Sequence, residues 1–173
     1  MALILPWQGV LPTIAPTAWV APNATITGDV VLGAEASVWF NVVIRGDVHE
    51  IRIGARTNIQ DNTVVHATKN RHGTYIGQDV TIGHSAVLHA CILEDASFVG
   101  MGAIVLDEAV VEHHGMLAAG ALLTSGKRVK SGELWAGNPA RKLRDLTAAE
   151  IQAIDNSALR YVEYAAGYKE PSA

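Results

Sequence analysis

Residues 93–123 read LEDASFVGMGAIVLDEAVVEHHGMLAAGALL, and within them Leu93, Val99, Val105, Val111, Leu117 and Leu123 recur at steps of six. The same step runs earlier through Ile14, Val20, Ile26, Leu32, Val38 and Ile44, then through Ile53, Ile59 and Val65, and again through Ile76, Ile82 and Leu88. Four positions after most of these stands a small or β-branched residue: Ala18, Ala24, Val30, Ala36, Val42, Thr57, Thr63, Val80, Ala86, Ser97, Ala103, Ala109, Gly115 and Ala121. Six residues amount to one short strand and a turn, too little to bury apolar surface alone, so such units must stack. Three units close one triangular coil. The aliphatic residue then fills the interior, and the small residue sits at the corner, where a bulky side chain would strike the coil above. Gly33, Gly54, Gly77, Gly83 and Gly100 suit the same close approach. A β-sandwich would instead alternate with period two and turn about every 8–12 residues. The expected fold is all-β, a parallel β-helix shaped as a triangular prism over residues 1–135.

Past Leu123 the step fades through Thr124–Lys127 and Trp135–Pro139, and a different period takes over. Thr147 and Glu150 make a capping box. Ile151, Ile154, Ala158, Leu159, Val162 and Ala165 then recur at three and four, which predicts an amphipathic helix over 147–166 packed along the prism. Residues 136–173 are read as a connecting segment plus this helix, within one domain.

With 173 residues, 49% hydrophobic and 17% charged, the chain suits one compact domain rather than a disordered one, and no run of about 18 apolar residues offers a membrane span. The 6% aromatic content fits a narrow prism with no room for rings. Seventeen acidic against thirteen basic residues, a net charge of −4, leave no basic field for nucleic acid, so a small molecule or another copy of the chain is the expected partner. The lone Cys91 cannot form an intrachain disulfide, and Met1–Pro6 lacks the charged start and apolar stretch of a secretory signal. The cytoplasm is the expected compartment.

The lattice breaks between Ile44 and Ile53, Val65 and Ile76, and Leu88 and Leu93, gaps of 9, 11 and 5 residues in place of 6. Counted this way, Val38, Ile59 and Ile82 share one face, and Ile44, Val65 and Leu88 share the next. Residues directly after a lattice position point outward. On the second face that column is Arg45, His66 and His89. On the first, Asp61 and His84 lie two after the lattice position, with Gln60 beside them. Adjacent coils are about 4.8 Å apart, so His66 and His89 can share one metal ion. His84 diverges from them within one chain and must reach them from another copy; a ring of three, face to face, would do this at three identical interfaces. A single outward histidine is ordinarily a solvated residue, but these three stand in register. His49, His72, His113 and His114 do not and are read as surface or loop residues. Three neutral imidazoles with an open fourth position suit zinc, with Fe2+ and Co2+ equally tolerant of imidazole. Arg45 can orient an anion, Asp47 and Asp61 can hold Arg45 or a histidine N–H, and Gln60 can hydrogen-bond a coordinated water.

At these residues (Arg45-Gly46-Asp47, Asn58 to Asn62, His66, Ile82-Gly83-His84 and Leu88-His89) the chain resembles the γ-class carbonic anhydrase family over nearly its whole length. The resemblance implies a left-handed β-helix, whereas crossovers in general are right-handed. It also implies a homotrimer whose metal is bound by His66 and His89 of one subunit and His84 of the next. Gln60 would then contact the coordinated water, Arg45, Asp47 and Asp61 would support it, and the reaction would be reversible hydration of CO2 to bicarbonate.

Two departures stand out. Where archetypal members carry an acidic residue after Arg-x-Asp and a long acid-rich loop with a proton-shuttling glutamate, this chain has Val48 and the short basic stretch Ala67–Gly73. His72, with an ordinary pKa near about 6.5, and Tyr161 or Tyr164 on the terminal helix are the candidate replacements. Two other functions stay open. One is an acyl-CoA-dependent acyltransferase of the hexapeptide-repeat type, which shares the prism and the Gly137–Arg141 segment but needs only one histidine base. The other is a metal-binding trimer with little or no CO2 hydration.

Overall fold

The structure is a computed structural model and describes residues 2–169. Its strands stack as a parallel solenoid. On the first face seven parallel strands lie in order, and they align Val20, Val38, Ile59, Ile82, Val99, Leu117 and Trp135. The second face aligns Ile4, Ile26, Ile44, Val65, Leu88, Val105 and Leu123. The third aligns Ile14, Leu32, Ile53, Ile76, Leu93, Val111 and Val129. From Val38 the first column advances by 21, 23, 17 and 18 residues, so all three lattice breaks fall where the six-residue count places them. The extra residues extend the strand Val43–Ile53 around a corner and form the 67–73 loop.

Ile26, Ile44, Ile59, Ile82, Leu88, Leu93, Leu117 and Leu123 are almost wholly buried inside the prism. Each such burial contributes roughly 1.5–3 kcal/mol. Three positions after the lattice residue the corner repeatedly takes a left-handed backbone: Glu35, Asn41, Arg56, Asn62, Asp79, Ser85, Ala96, Glu108 and His114 all have φ between 52° and 62°. Gly102, Gly120, Gly126 and Gly132 hold the same place at other corners.

The sequence reading is corrected at three points. The lattice does not fade after Leu123: Val129 and Trp135 pair with Val111 and Leu117, with Gly126 and Gly132 turning the corners between them. Residues 136–145 are more than a connection, since Ala140–Asp145 pairs antiparallel with Glu133–Gly137 and covers the edge of the first face with a charged strand. The expectation that rings find no room in the prism fails at its end, where Trp135 takes the last lattice place of the first column and packs against the core, while other rings gather outside. Trp19 and Trp39, whose centroids are 4.8 Å apart, pack with Phe40, Tyr161 and Tyr168 between the first face and the helix.

That helix, α1, spans Ala148–Lys169 and buries Ile154, Ala158 and Ala165. It starts one residue later than predicted, with Thr147 as its cap, and runs three residues further; residues 170–173 lie outside the described residues. The capping box forms: Thr147 N–H donates to Glu150 at 2.9 Å and Glu150 N–H donates to Thr147 Oγ1 at 3.3 Å. Among the described residues no helix is long and apolar enough to cross a membrane.

Glu150 is also gripped by Arg144 through bonds of 2.8 and 2.7 Å, which together with the cap hold its carboxyl at about 2, below the ordinary 4.5. A depressed folded-state pKa stabilises above the unfolded value and ceases to do so as pH falls through the folded one. Thermal melts should therefore lose stability as acid is added between pH 4.5 and 2, and Glu150→Gln should flatten that slope. An unchanged slope would show that the cap carries no linked stability.

Candidate metal centre

The second face presents two histidines from neighbouring coils, because Val65 and Leu88 occupy the same lattice column and His66 pairs directly with His89. Their rings lie 5.2 Å apart, with His66 Nδ1 3.2 Å from His89 Nε2. Two nitrogens bound to one ion at about 2.0–2.1 Å with a tetrahedral angle are separated by roughly 3.3–3.4 Å. The separation of the two nitrogens is thus close to that of two ligands on one small divalent ion.

The outer nitrogens are each occupied by a carboxylate. His66 Nε2 is 3.0 Å from Asp47 Oδ1, and His89 Nδ1 is 2.7 Å from Asp107 Oδ1. With the proton assigned to those outer nitrogens, the lone pairs of His66 Nδ1 and His89 Nε2 are left facing each other. Asp47 also accepts from Arg45 at 2.6 Å. Burial opposes ionisation of Asp47, yet the bonds from Arg45 and His66 outweigh it and hold the carboxyl below its usual range. Asp107 behaves alike, its burial outweighed by bonds from Thr68 and His89. Burial pushes His66 down, against the pull of Asp47, towards the neutral imidazole that a metal ligand requires.

His84 stands apart on the first face. Its Nδ1 is 2.7 Å from Asp61 Oδ2, while Asp61 Oδ1 accepts from the Phe40 N–H at 3.2 Å. Among the described residues no three His, Cys, Asp or Glu side chains of one chain converge on a metal position. The structure thus brings together Arg45, Asp47, His66 and His89, and separately Asp61 and His84. Gln60 and Tyr161 join neither set directly. Gln60 is buried and donates to Asn58 at 3.0 Å; it shares with Tyr161 and Tyr164 the wall of a cavity of about 670 Å³ between α1 and the first face. Burial, with Asp61 nearby, pushes the Tyr161 phenol up, so it keeps its proton.

The other four histidines have partners of their own. His49 accepts from the Glu50 N–H, His72 contacts the Gly73 carbonyl, His113 the Asp95 carbonyl and His114 the Asp155 carboxylate. Asp107 was missed by the sequence reading. The lattice brings it only into the neighbourhood, since Val105 sits beside Leu88, which puts Leu106 level with His89 and residue 107 one position further along the next coil.

Comparison with known proteins bears on this geometry. No family model matches the chain. Gamma carbonic anhydrase 1 of Arabidopsis thaliana mitochondria is 50% identical over 167 residues, which are 94% of this chain and 61% of that protein. The chain thus spans about three-fifths of that relative's length. A carbonic anhydrase of Geobacillus kaustophilus is 42% identical over 167 residues, 96% of this chain and 91% of the relative. The chain belongs to the γ-class carbonic anhydrase-like family of hexapeptide-repeat proteins. A crystal structure of a hexapeptide transferase family protein from Anaplasma phagocytophilum superposes with a TM-score of 0.93 at 54% identity, over 96% of this chain and 98% of that one. The prism of this γ-class carbonic anhydrase-like chain is therefore the left-handed β-helix of hexapeptide-repeat proteins.

Proposed function

We propose that the protein is a carbonic anhydrase that hydrates CO2 reversibly to bicarbonate. Its divalent ion, zinc first and Fe2+ or Co2+ next, is held between copies in a homotrimer. The observation that carries this reading is the facing pair His66 Nδ1 and His89 Nε2, 3.2 Å apart, each ring backed by its own aspartate. His84, equally backed by Asp61, supplies the third nitrogen from a neighbouring copy. An exposed apolar column of Val64, Val87 and Ile104 beside the two histidines supports such a neighbour. The names of the relatives support the metal and the reaction class.

Held by His66 and His89 with a neighbour's His84, a divalent ion would supply the Lewis acidity that brings the pKa of a water to about 7. The chain's own residues do the rest. Asp47, Asp61 and Asp107 hold protons on the outer nitrogens, so the inner ones stay free to ligate. Arg45, half-exposed and tied to Asp47, offers a cation where bicarbonate forms. Gln60 and the protonated Tyr161 supply donors from the cavity beside the first face. Hydration of CO2 releases one proton per bicarbonate, and with no acid-rich loop its exit falls to His72 or to the Tyr161 hydroxyl, which stays protonated and can only relay, taking one proton as it passes its own on. In weak buffer, whichever of Tyr161→Phe and His72→Ala removes the residue that carries the path should lower kcat about tenfold or more, with imidazole buffer restoring it. Unchanged turnover in both would remove these residues from the proton path. We keep the cytoplasm as the compartment in this reading; the Arabidopsis relative is named mitochondrial.

The transferase name of the Anaplasma structure favours a second reading, an acyltransferase using acyl-CoA. An acyltransferase uses one histidine as base and has no need of three, each backed by a carboxylate. Saturation transfer with acetyl-CoA distinguishes the two. The decisive test is metal content per chain, by elemental mass spectrometry on tag-free protein purified without chelators, with native mass from the same sample. About one ion per chain in a trimer is expected, followed by CO2 hydration in stopped flow. A trimer that takes up no added ion would overturn the reading. A loaded trimer without turnover would leave a metal-binding assembly.

A further inference from the structure

Each of the three histidines has a carboxylate on its outer nitrogen, and the one on His89 has a second duty. Asp107 Oδ1 is 2.7 Å from His89 Nδ1, while its Oδ2 accepts the Thr68 hydroxyl in a short hydrogen bond. Thr68 opens the basic 67–73 loop: its N–H donates to the His72 carbonyl at 3.0 Å, and its own carbonyl accepts from Arg71 at 3.2 Å. Next to Asp107, Glu108 pairs with Arg71 of the same loop at 2.8 Å. One carboxylate therefore joins a metal-facing histidine to the loop that replaces the usual acidic insertion.

We infer that Asp107 is a positioning residue of the metal centre. One oxygen fixes the tautomer and ring orientation of His89, and the other pins the 67–73 loop against it through Thr68. The inference rests on the metal reading above. Its physical ground is that an imidazole ligates through one nitrogen only if the other carries the proton, and a fixed acceptor on the outer nitrogen selects that arrangement before any ion arrives. Without Asp107, His89 would divide its time between tautomers and ring orientations. Without the Thr68 hydroxyl, Asp107 would lose the bond that holds it in line.

The test is zinc affinity of the whole assembled protein, by competition with a chromogenic chelator, alongside the melting temperature of the metal-free form. Asp107→Ala should weaken zinc about 10–100-fold without lowering the metal-free melting temperature in proportion. Asp107→Asn, which keeps an acceptor of the same shape, should recover part of that loss. Thr68→Val should weaken zinc severalfold and speed trypsin cleavage after Lys69 and Arg71. It also keeps the test alive if Asp107→Ala does not fold. An Asp107→Ala protein that binds zinc within twofold of wild type overturns the inference while leaving the metal reading intact. Wild-type protein that binds no zinc overturns both.

Discussion

His84→Ala is expected to strip the protein of bound metal while moving the melting temperature of the metal-free form by only about 2 °C, the scale of an exposed substitution in a chain this long. His84 is half-exposed, its imidazole bonds to Asp61, and the aliphatic prism behind it is untouched. His66→Ala should lose metal in the same way through the other half of the site. Combined, the two variants separate a shared site from a private one. In trimers re-formed from an equal mixture, an interface is intact only where a chain with good His66 and His89 meets a chain with good His84. Random assembly makes that about a quarter of interfaces, so about a quarter of the wild-type metal should return. Absence of any recovery in verified mixed trimers would sink the assignment of His84 to a neighbouring copy.

Gly54→Ala should be among the most damaging single-methyl changes in the chain. Gly33, Gly54 and Gly77 follow Leu32, Ile53 and Ile76 and so lie one above another on the third face. A Cβ on Gly33 would come within 2.7 Å of the Ala55 nitrogen, and one on Gly54 would press closer still on the backbone of Gly77 and Gln78. Backbone in the adjacent coil cannot swing away as a side chain would. Such overpacking costs about 3 kcal/mol or more, which in a chain of this size lowers the melting temperature by roughly 6–12 °C. Gly102→Ala is the control. Nothing lies within 4 Å of its would-be Cβ, but its φ is +66°, so only backbone strain of about 1 kcal/mol is expected. If Gly54→Ala melts with the wild type, coil-to-coil contact at these glycines is not what excludes a side chain.

How far each feature was legible follows from the range over which its cause acts. The lattice residues and the helix report their own burial within a few positions of sequence, so the three irregular gaps already fix which coil neighbours which. The columns Ile44–Val65–Leu88 and Val38–Ile59–Ile82 come out in the structure as counted. His66 beside His89, and Asp61 beside His84, follow from the same count. The continuation through Val129 and Trp135 was overlooked because Lys127, Lys130 and Ser131 obscure an intact step of six with polar residues that merely face solvent.

What the amino-acid order determined alone is the period, the coil register and the face on which each histidine stands, because burial in a stacked prism repeats with the residue number. What only the tertiary structure decided lies between side chains of different coils and elements. The Trp19–Trp39–Tyr161 packing depends on where α1 comes to rest. The choice of Asp107 as the carboxylate for His89, held by Thr68 from a loop, depends on rotamers and a hydrogen-bond network across 39 residues of sequence. A periodic pattern specifies backbone position; the direction in which a polar side chain finds its partner is set by distances of a few ångströms that no spacing in the sequence encodes.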